Sequence, residues 1–236
     1  MNSTLDFVVR FLQIVLIDLA LSGDNAVVIG MAAASLPKDR RTKAIIIGGA
    51  CAIVLRIGLV LIATWLIQIK FISAVGGAVL FWVAWRLLRL DVESEAESEE
   101  KKKTKVAQNF RQAILLILLA DFMMSLDNVL AIAGAANGND ILVIVGLLVS
   151  MPLLLLTGGF ISKAIDKLKW LPFLGAAVIC FTGARMVMED KFIRPNLGLG
   201  TGVIIGISIG IGLLFPGILI VINMVRAKRE KKQPVD

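Results

Sequence analysis

Asp18, Ser22, Asp24 and Asn25 recur as Asp121, Ser125, Asp127 and Asn128, every pair displaced by 103 positions. The first copy reads Asp18-Leu-Ala-Leu-Ser22-Gly-Asp24-Asn25 and the second Asp121-Phe-Met-Met-Ser125-Leu-Asp127-Asn128. Both sit in the middle of long apolar stretches. A carboxylate in a bilayer costs about 2.5–3.5 kcal/mol on insertion scales, so four in two matched sets call for a cation. The motifs offer carboxylates, amide carbonyls, hydroxyls and backbone carbonyls. Oxygen sets of this kind suit hard divalent ions: manganese, calcium or magnesium. Zinc, copper and nickel recruit His or Cys, and the chain has no histidine, while Cys51 and Cys180 lie outside the motifs. Met123 and Met124 adjoin the second motif, either as a soft ligand or as packing against lipid or a neighbouring helix. Hydrogen bonding between helices, with some carboxyls protonated by burial, is the plainer alternative for the four acids.

The elements that must position these residues are membrane helices. Of 236 residues 58% are hydrophobic, and mean hydropathy is +0.87. The apolar runs are too long for barrel strands of ~10 residues. The fold class is therefore all-α, a polytopic membrane protein in a single transmembrane domain. Seven spans are predicted, at roughly 7–34, 44–69, 71–88, 112–136, 141–162, 170–188 and 197–225, each above the ~17 residues that cross the hydrocarbon core. The boundary at Lys70 is the least distinct. A charged stretch, 91–108, holds an acidic run followed by a basic one and reads as a solvated cytoplasmic linker.

The net charge of +7 is loop charge rather than a nucleic-acid footprint. On the face holding the C-terminus fall nineteen Lys and Arg residues, among them Arg40, Arg41, Lys101–Lys103 and the basic tail 226–236. The other face has five: Arg10, Lys70, Arg185, Lys191 and Arg194. Arg56 remains inside span two. The bias places the N-terminus outside and the C-terminus in the cytoplasm of a cell (plasma) membrane protein.

The repeat runs past the acids. Gly76-Gly-Ala-Val-Leu-Phe-Trp-Val-Ala-Trp-Arg86 matches Gly175-Ala-Ala-Val-Ile-Cys-Phe-Thr-Gly-Ala-Arg185 at an offset of 99. Residues 6–90 form one repeat and 109–194 the other. Three spans is an odd number, so the second repeat is inverted, a 3+3 arrangement with one C-terminal helix added. On a helix Asp18, Ser22 and Asn25 share a face and Asp24 sits about 120° away. If both acids serve one site, the helix must loosen near Ser22–Asp24. Gly23 eases that in the first copy, and Leu126 gives no such help in the second. Arg56 is either a cation that trims the charge of the site and moves, or a fixed counter-ion. In span seven Gly198, Gly202, Gly206 and Gly210 form a close-contact face, for packing within the protomer by default and for a homodimer otherwise. Pro152 and Pro216 are candidate kinks in spans five and seven.

With these motifs the sequence resembles the TerC family of integral membrane proteins, in its YjbE-like branch, over nearly the whole chain from Phe7 to about Val225. The carrying segments are Ser22-Gly-Asp24-Asn25-Ala and Ser125-Leu-Asp127-Asn128-Val. The resemblance implies export of manganese or a related metal ion, and kinship with the LysE superfamily of exporters. It also implies that Asp18, Asp24, Asn25, Asp121, Asp127 and Asn128 match the family's motif positions; these are the expected metal residues, and the residue pattern itself adds Ser22, Ser125 and Arg56 in support. The expected partners are the bilayer and the metal substrate, with no permanently bound cofactor and no nucleic acid. Moving a divalent ion outward against an inside-negative potential costs about 4.6 kcal/mol per 100 mV, so export needs a large gradient or a coupled flow such as inward protons. An intramembrane aspartyl protease is disfavoured: Ser22 stands where such enzymes need Gly, and the chain has no tyrosine. No enzyme activity is expected. The alternative function is a membrane partner that assists metalation or secretion of other proteins without moving ions.

Overall fold

The computed structural model describes the backbone of residues 3–66, 68–96, 99–136, 139–168 and 170–230. Side chains at 3–5, 63–64, 90–109, 127, 130, 133 and 219–230 also lie outside the described residues. The described chain is helical throughout: α1 Ser3–Leu21, α2 Gly23–Ala34, α3 Lys38–Leu61, α4 Ala63–Leu66, α5 Ile72–Ala96, α6 Glu99–Ala136, α7 Asp140–Ile165, α8 Leu171–Glu189, α9 Arg194–Leu197 and α10 Thr201–Glu230. Five of these, α3, α5, α7, α8 and α10, are long and apolar enough to cross a membrane. α1 and α2 pass as a sixth if taken as one span bent by 53°. α6, which holds predicted span four, is not among them when the described residues alone are counted. Large apolar side chains face outward, with Val54 72%, Trp65 77% and Phe160 70% exposed. Apolar surface of that kind marks contact with a membrane or a partner, and with five to six helices able to cross a membrane the chain is a multi-pass membrane protein.

The charged stretch 91–108 is helical on both sides of residues 97–98, which lie outside the described residues. The sequence gives a reason. Glu99 and Glu100 open α6, where the positive end of the helix dipole favours acids, and lysines follow three and four positions later. The indistinct boundary at Lys70 is a turn. Phe71 takes φ 60°, unusual for a bulky residue, and its ring packs on Phe192 at 5.5 Å. Lys70 also lies over the Phe192 ring, and Asp190 accepts the Ala74 amide at 3.2 Å. These contacts join the α4–α5 turn to the segment after α8. At the other end of α3, Arg41 donates to the Leu36, Ala34 and Ser162 carbonyls and to both Asp166 oxygens, at 2.7 and 2.9 Å. This hydrogen-bonded guanidinium holds the Asp166 carboxyl below the usual carboxylate range. The α2–α3 turn and the end of α7 are thereby tied together.

Helices approach closely where side chains are absent. α5 crosses α8 at Gly77 and Gly183, and a Cβ on Gly77 would fall 2.3 Å from the Gly183 carbonyl oxygen. α2 meets α7 at Gly30 and Gly158, where the Ile161 and Ile29 side chains fill the space a Cβ would take. α3 packs along α6, and α1 touches both α6 and α7. α7 and α10 remain helical through Pro152 and Pro216.

The glycine face of span seven behaves differently from its default expectation. Gly198 caps α9 at φ 61° and so lies off α10, and among the described residues a Cβ added at Gly198, Gly202, Gly206 or Gly210 would meet nothing within 4 Å. α10 packs on α8 with another face: Ile204 and Ser208 are buried, and Gly212 lies against the Ala177 carbonyl and Phe181. Packing within the protomer by the Gly202 face is therefore overturned. Bulkier neighbours on the adjacent stripe, including Phe215 against Phe81 at 5.1 Å, supply more contact area than bare backbone does.

The helix loosens at the first motif and stays whole at the second. Ser22 separates α1 from α2, whereas α6 runs unbroken past Ser125. Gly23 needs no unusual backbone angle, and a Cβ there would meet nothing within 4 Å among the described residues. The bend is thus held by its surroundings, and Gly23 lowers only the cost of changing it. Gly23→Ala is expected to raise thermal stability by about 0.4–1 kcal/mol, through the unfolded chain, while leaving the bend in place. A thermal melt of the detergent-purified variant checks this, and a fall in melting temperature would contradict it.

Candidate cation site

The broken helix and the straight one bring the two motifs face to face. Asp18, Ser22 and Asn25 on one side, and Asp121, Ser125 and Asn128 on the other, are all buried. Arg56 reaches between them from α3 and is itself 0% exposed. Its Nη1 donates to Asp18 Oδ1 at 2.6 Å and to Ser22 Oγ at 2.9 Å. Its Nη2 donates to Asp121 Oδ1, and its Nε to Ser125 Oγ at 2.9 Å. One guanidinium thus holds four residues of the two motifs, a use of its rigid donor fork that lysine could not match.

The second motif also stitches the break in the first. Asn128 Nδ2 donates to the Leu21 carbonyl at 3.3 Å and to Ser22 Oγ at 3.4 Å. Asn25 Nδ2 crosses the other way, to Asp121 Oδ1 at 2.8 Å. Asp18 is fully engaged, because Ser22 donates to Oδ1 at 3.0 Å and Ser150 on α7 to Oδ2 at 2.5 Å. Asp121 is not. Among the described residues its Oδ2 has no partner, and neither has Asn25 Oδ1. Buried polar atoms are nearly always bonded, so two open acceptors on adjoining residues are a specific feature. Both are oxygens, the donor type that hard cations take.

Asp24 departs from the predicted set. It does not join Asp18 and Asp121. The chain restarts as a helix at Gly23, which puts Asp24 in the first turn of α2, facing α8. There Thr182 Oγ1 donates to its Oδ2 at 3.0 Å, and the Asn25 amide to its Oδ1 at 3.1 Å. Asp24 and Asn128 line a cavity of about 670 Å³ with Met124, Thr182, Arg185 and Glu189, which extends to Ser73 and Arg194. The motif therefore splits, one acid toward the buried cluster and one toward the cavity. Asp127 lies on α6, and its side chain is outside the described residues. Among the described residues no three acidic, histidine or cysteine side chains converge to hold an ion as they stand. Met124 is buried in the core and borders the cavity, and Met123 packs against the core from its edge.

Ser150, Thr182 and Glu189 escaped the sequence reading. Ser150 and Thr182 are single hydroxyls in apolar spans, which was the available signal. Such residues also bond their own backbone in helices, so the signal does not single out a site.

A polytopic helical bundle with paired acidic motifs buried around one arginine defines a class of integral membrane protein with an intramembrane polar centre. The family model described as the integral membrane protein TerC family matches residues 3–232, and the chain belongs to that family. It is 40% identical over 186 residues to the membrane protein YjbE of Bacillus subtilis (strain 168), covering 79% of this chain and 82% of that one. It is 30% identical over 190 residues to the membrane protein YkoY of the same strain, covering 79% of this chain and 53% of YkoY. It is 23% identical over 198 residues to the UPF0053 inner membrane protein YgdQ of Escherichia coli (strain K12), covering 78% of this chain and 81% of YgdQ. No solved structure matches it.

Proposed function

We propose that the chain is a secondary transporter that exports a divalent metal cation, manganese by preference, from the cytoplasm in exchange for protons. It is a carrier and not an enzyme. The observation that carries the reading is a pair of buried oxygens, Asn25 Oδ1 and Asp121 Oδ2, without a partner among the described residues and inside a cluster built from both acidic motifs. The cavity that ends at Asp24 and Asn128 supplies the access route.

The reading includes seven spans, with α6 as the fourth, and an inverted repeat. Its support is the packing: α2 lies on α7 as α6 lies on α3, and α5 and α8 lie on each other, the pairing that a pseudo-two-fold axis between repeats requires. With the N-terminus outside a plasma membrane, the cavity faces outward, and the Arg41–Asp166 tie closes the cytoplasmic end. The uncovered Gly202–Gly206–Gly210 face is then the surface on which a homodimer would form.

Manganese uptake into everted membrane vesicles tests the function. Asp121→Asn is expected to cut uptake by about 10- to 100-fold, and Asp24→Asn to lower it less. Collapse of the proton gradient is expected to stop uptake. Unchanged uptake in both variants would overturn the proposal. No uptake by the wild type, with binding to a secreted partner intact, would favour the partner role instead.

A further inference from the structure

We infer that the Arg56 guanidinium is a tethered surrogate cation. It fills the space between Asp18 and Asp121 when no divalent ion is bound, and it must leave for the ion to enter. The inference rests on the cluster being the cation site of the proposed function.

The geometry gives the first argument. Arg56 is the largest fully buried side chain among the described residues, and the partners of its guanidinium are motif residues: Asp18, Ser22, Asp121 and Ser125. A residue serving only to help a helix insert needs one counter-ion, not the centre of two motifs.

Charge gives the second. Two carboxylates and one guanidinium leave one negative charge in excess. A divalent ion added beside the guanidinium leaves one positive charge in excess. The ion alone with the two carboxylates is neutral. In a low-dielectric interior each imbalance is penalised, so the guanidinium and the ion favour alternate occupancy.

The open oxygens give the third. Asn25 Oδ1 and Asp121 Oδ2 are the two acceptors the guanidinium leaves unsatisfied. An ion held by these two oxygens completes its shell only with oxygens that Arg56 now holds. A place for the displaced guanidinium is close: Ser22 contacts Asn128, and Asn128 lines the cavity.

A competitor that holds the site about nine-tenths of the time weakens apparent affinity about tenfold. Purified Arg56→Gln is therefore expected to bind Mn2+ about tenfold more tightly than wild type, read from the free-Mn2+ paramagnetic resonance signal. In everted vesicles its turnover is expected to fall, because nothing expels the ion. Arg56→Lys, which keeps the charge without the fork, is expected to restore part of that turnover.

Affinity equal to or weaker than wild type would overturn the inference. So would tighter binding with undiminished turnover, the behaviour of a fixed counter-ion. If Arg56→Gln fails to fold, D18N/R56Q stands in, because it keeps the wild-type charge balance. It is expected to bind Mn2+ more tightly than D18N alone, and equal or weaker binding overturns the inference. No Mn2+ binding by the wild type overturns the proposed function as well. Wild-type binding that is lost in D121N, together with unchanged affinity in Arg56→Gln, removes the surrogate alone.

Discussion

Asp18→Asn combined with Asp121→Asn is expected to keep the protein from accumulating in the membrane, although each single substitution accumulates. Arg56 is the reason. Its guanidinium is fully buried and cannot lose its proton. Each single variant leaves one carboxylate against it, Asp121 or Asp18. The double variant leaves none, and an uncompensated buried charge costs about 3–5 kcal/mol. That is a large share of a stability of about 5–15 kcal/mol. Adding Arg56→Met to the double variant is expected to restore accumulation, because the charge then goes with its partners. Detergent extraction followed by size-exclusion chromatography reads all four proteins. Accumulation of the double variant at the wild-type level would show that Arg56 does not depend on these two acids.

Gly77→Val is expected to destabilise the protein by about 1–3 kcal/mol or more, as overpacking does in cores that cannot yield. The added Cβ would lie 2.3 Å from the Gly183 carbonyl oxygen and 2.8 Å from Val187. The obstacle is backbone, so no side-chain rotation relieves it, and α5 must part from α8. α8 supplies Thr182, which holds Asp24 at the cavity wall, so loss of stability and loss of uptake should appear together. Gly58→Ala is the control. Its Cβ meets nothing within 4 Å among the described residues, and helix propensity favours alanine by about 1 kcal/mol. A lower melting temperature for Gly77→Val beside an unchanged or higher one for Gly58→Ala is the expected result. Equal behaviour of the two would mean that the α5–α8 crossing carries little of the stability.

Much of this was legible in the residue pattern because apolar run length and polar periodicity are local properties. The 103-residue offset located both halves of the polar centre, and Gly23 against Leu126 anticipated one bent motif and one straight one. The destination of Asp24 was not legible. A helical wheel placed it about 120° from Asp18, but which neighbour it meets depends on the bend and on α8. Ser150 was hidden because its partner, Asp18, lies 132 positions away. The idle glycine face of α10 failed for a related reason. Spacing every four residues defines a face but not what covers it, and the adjacent face with Ile204, Ser208 and Gly212 proved to be the one that packs.

The unequal bend bears on ion size. Asp18 stands just before the break at Ser22 and Asn25 just after it, whereas Asp121, Ser125 and Asn128 ride on one uninterrupted helix. Under the proposed function, half of the coordinating shell keeps fixed spacing and half adjusts. Magnesium demands a near-ideal octahedron and gives up water reluctantly, while larger ions accept irregular and variable oxygen sets. A shell with one compliant side therefore selects by radius in one direction only, penalising the small ion and accommodating the large.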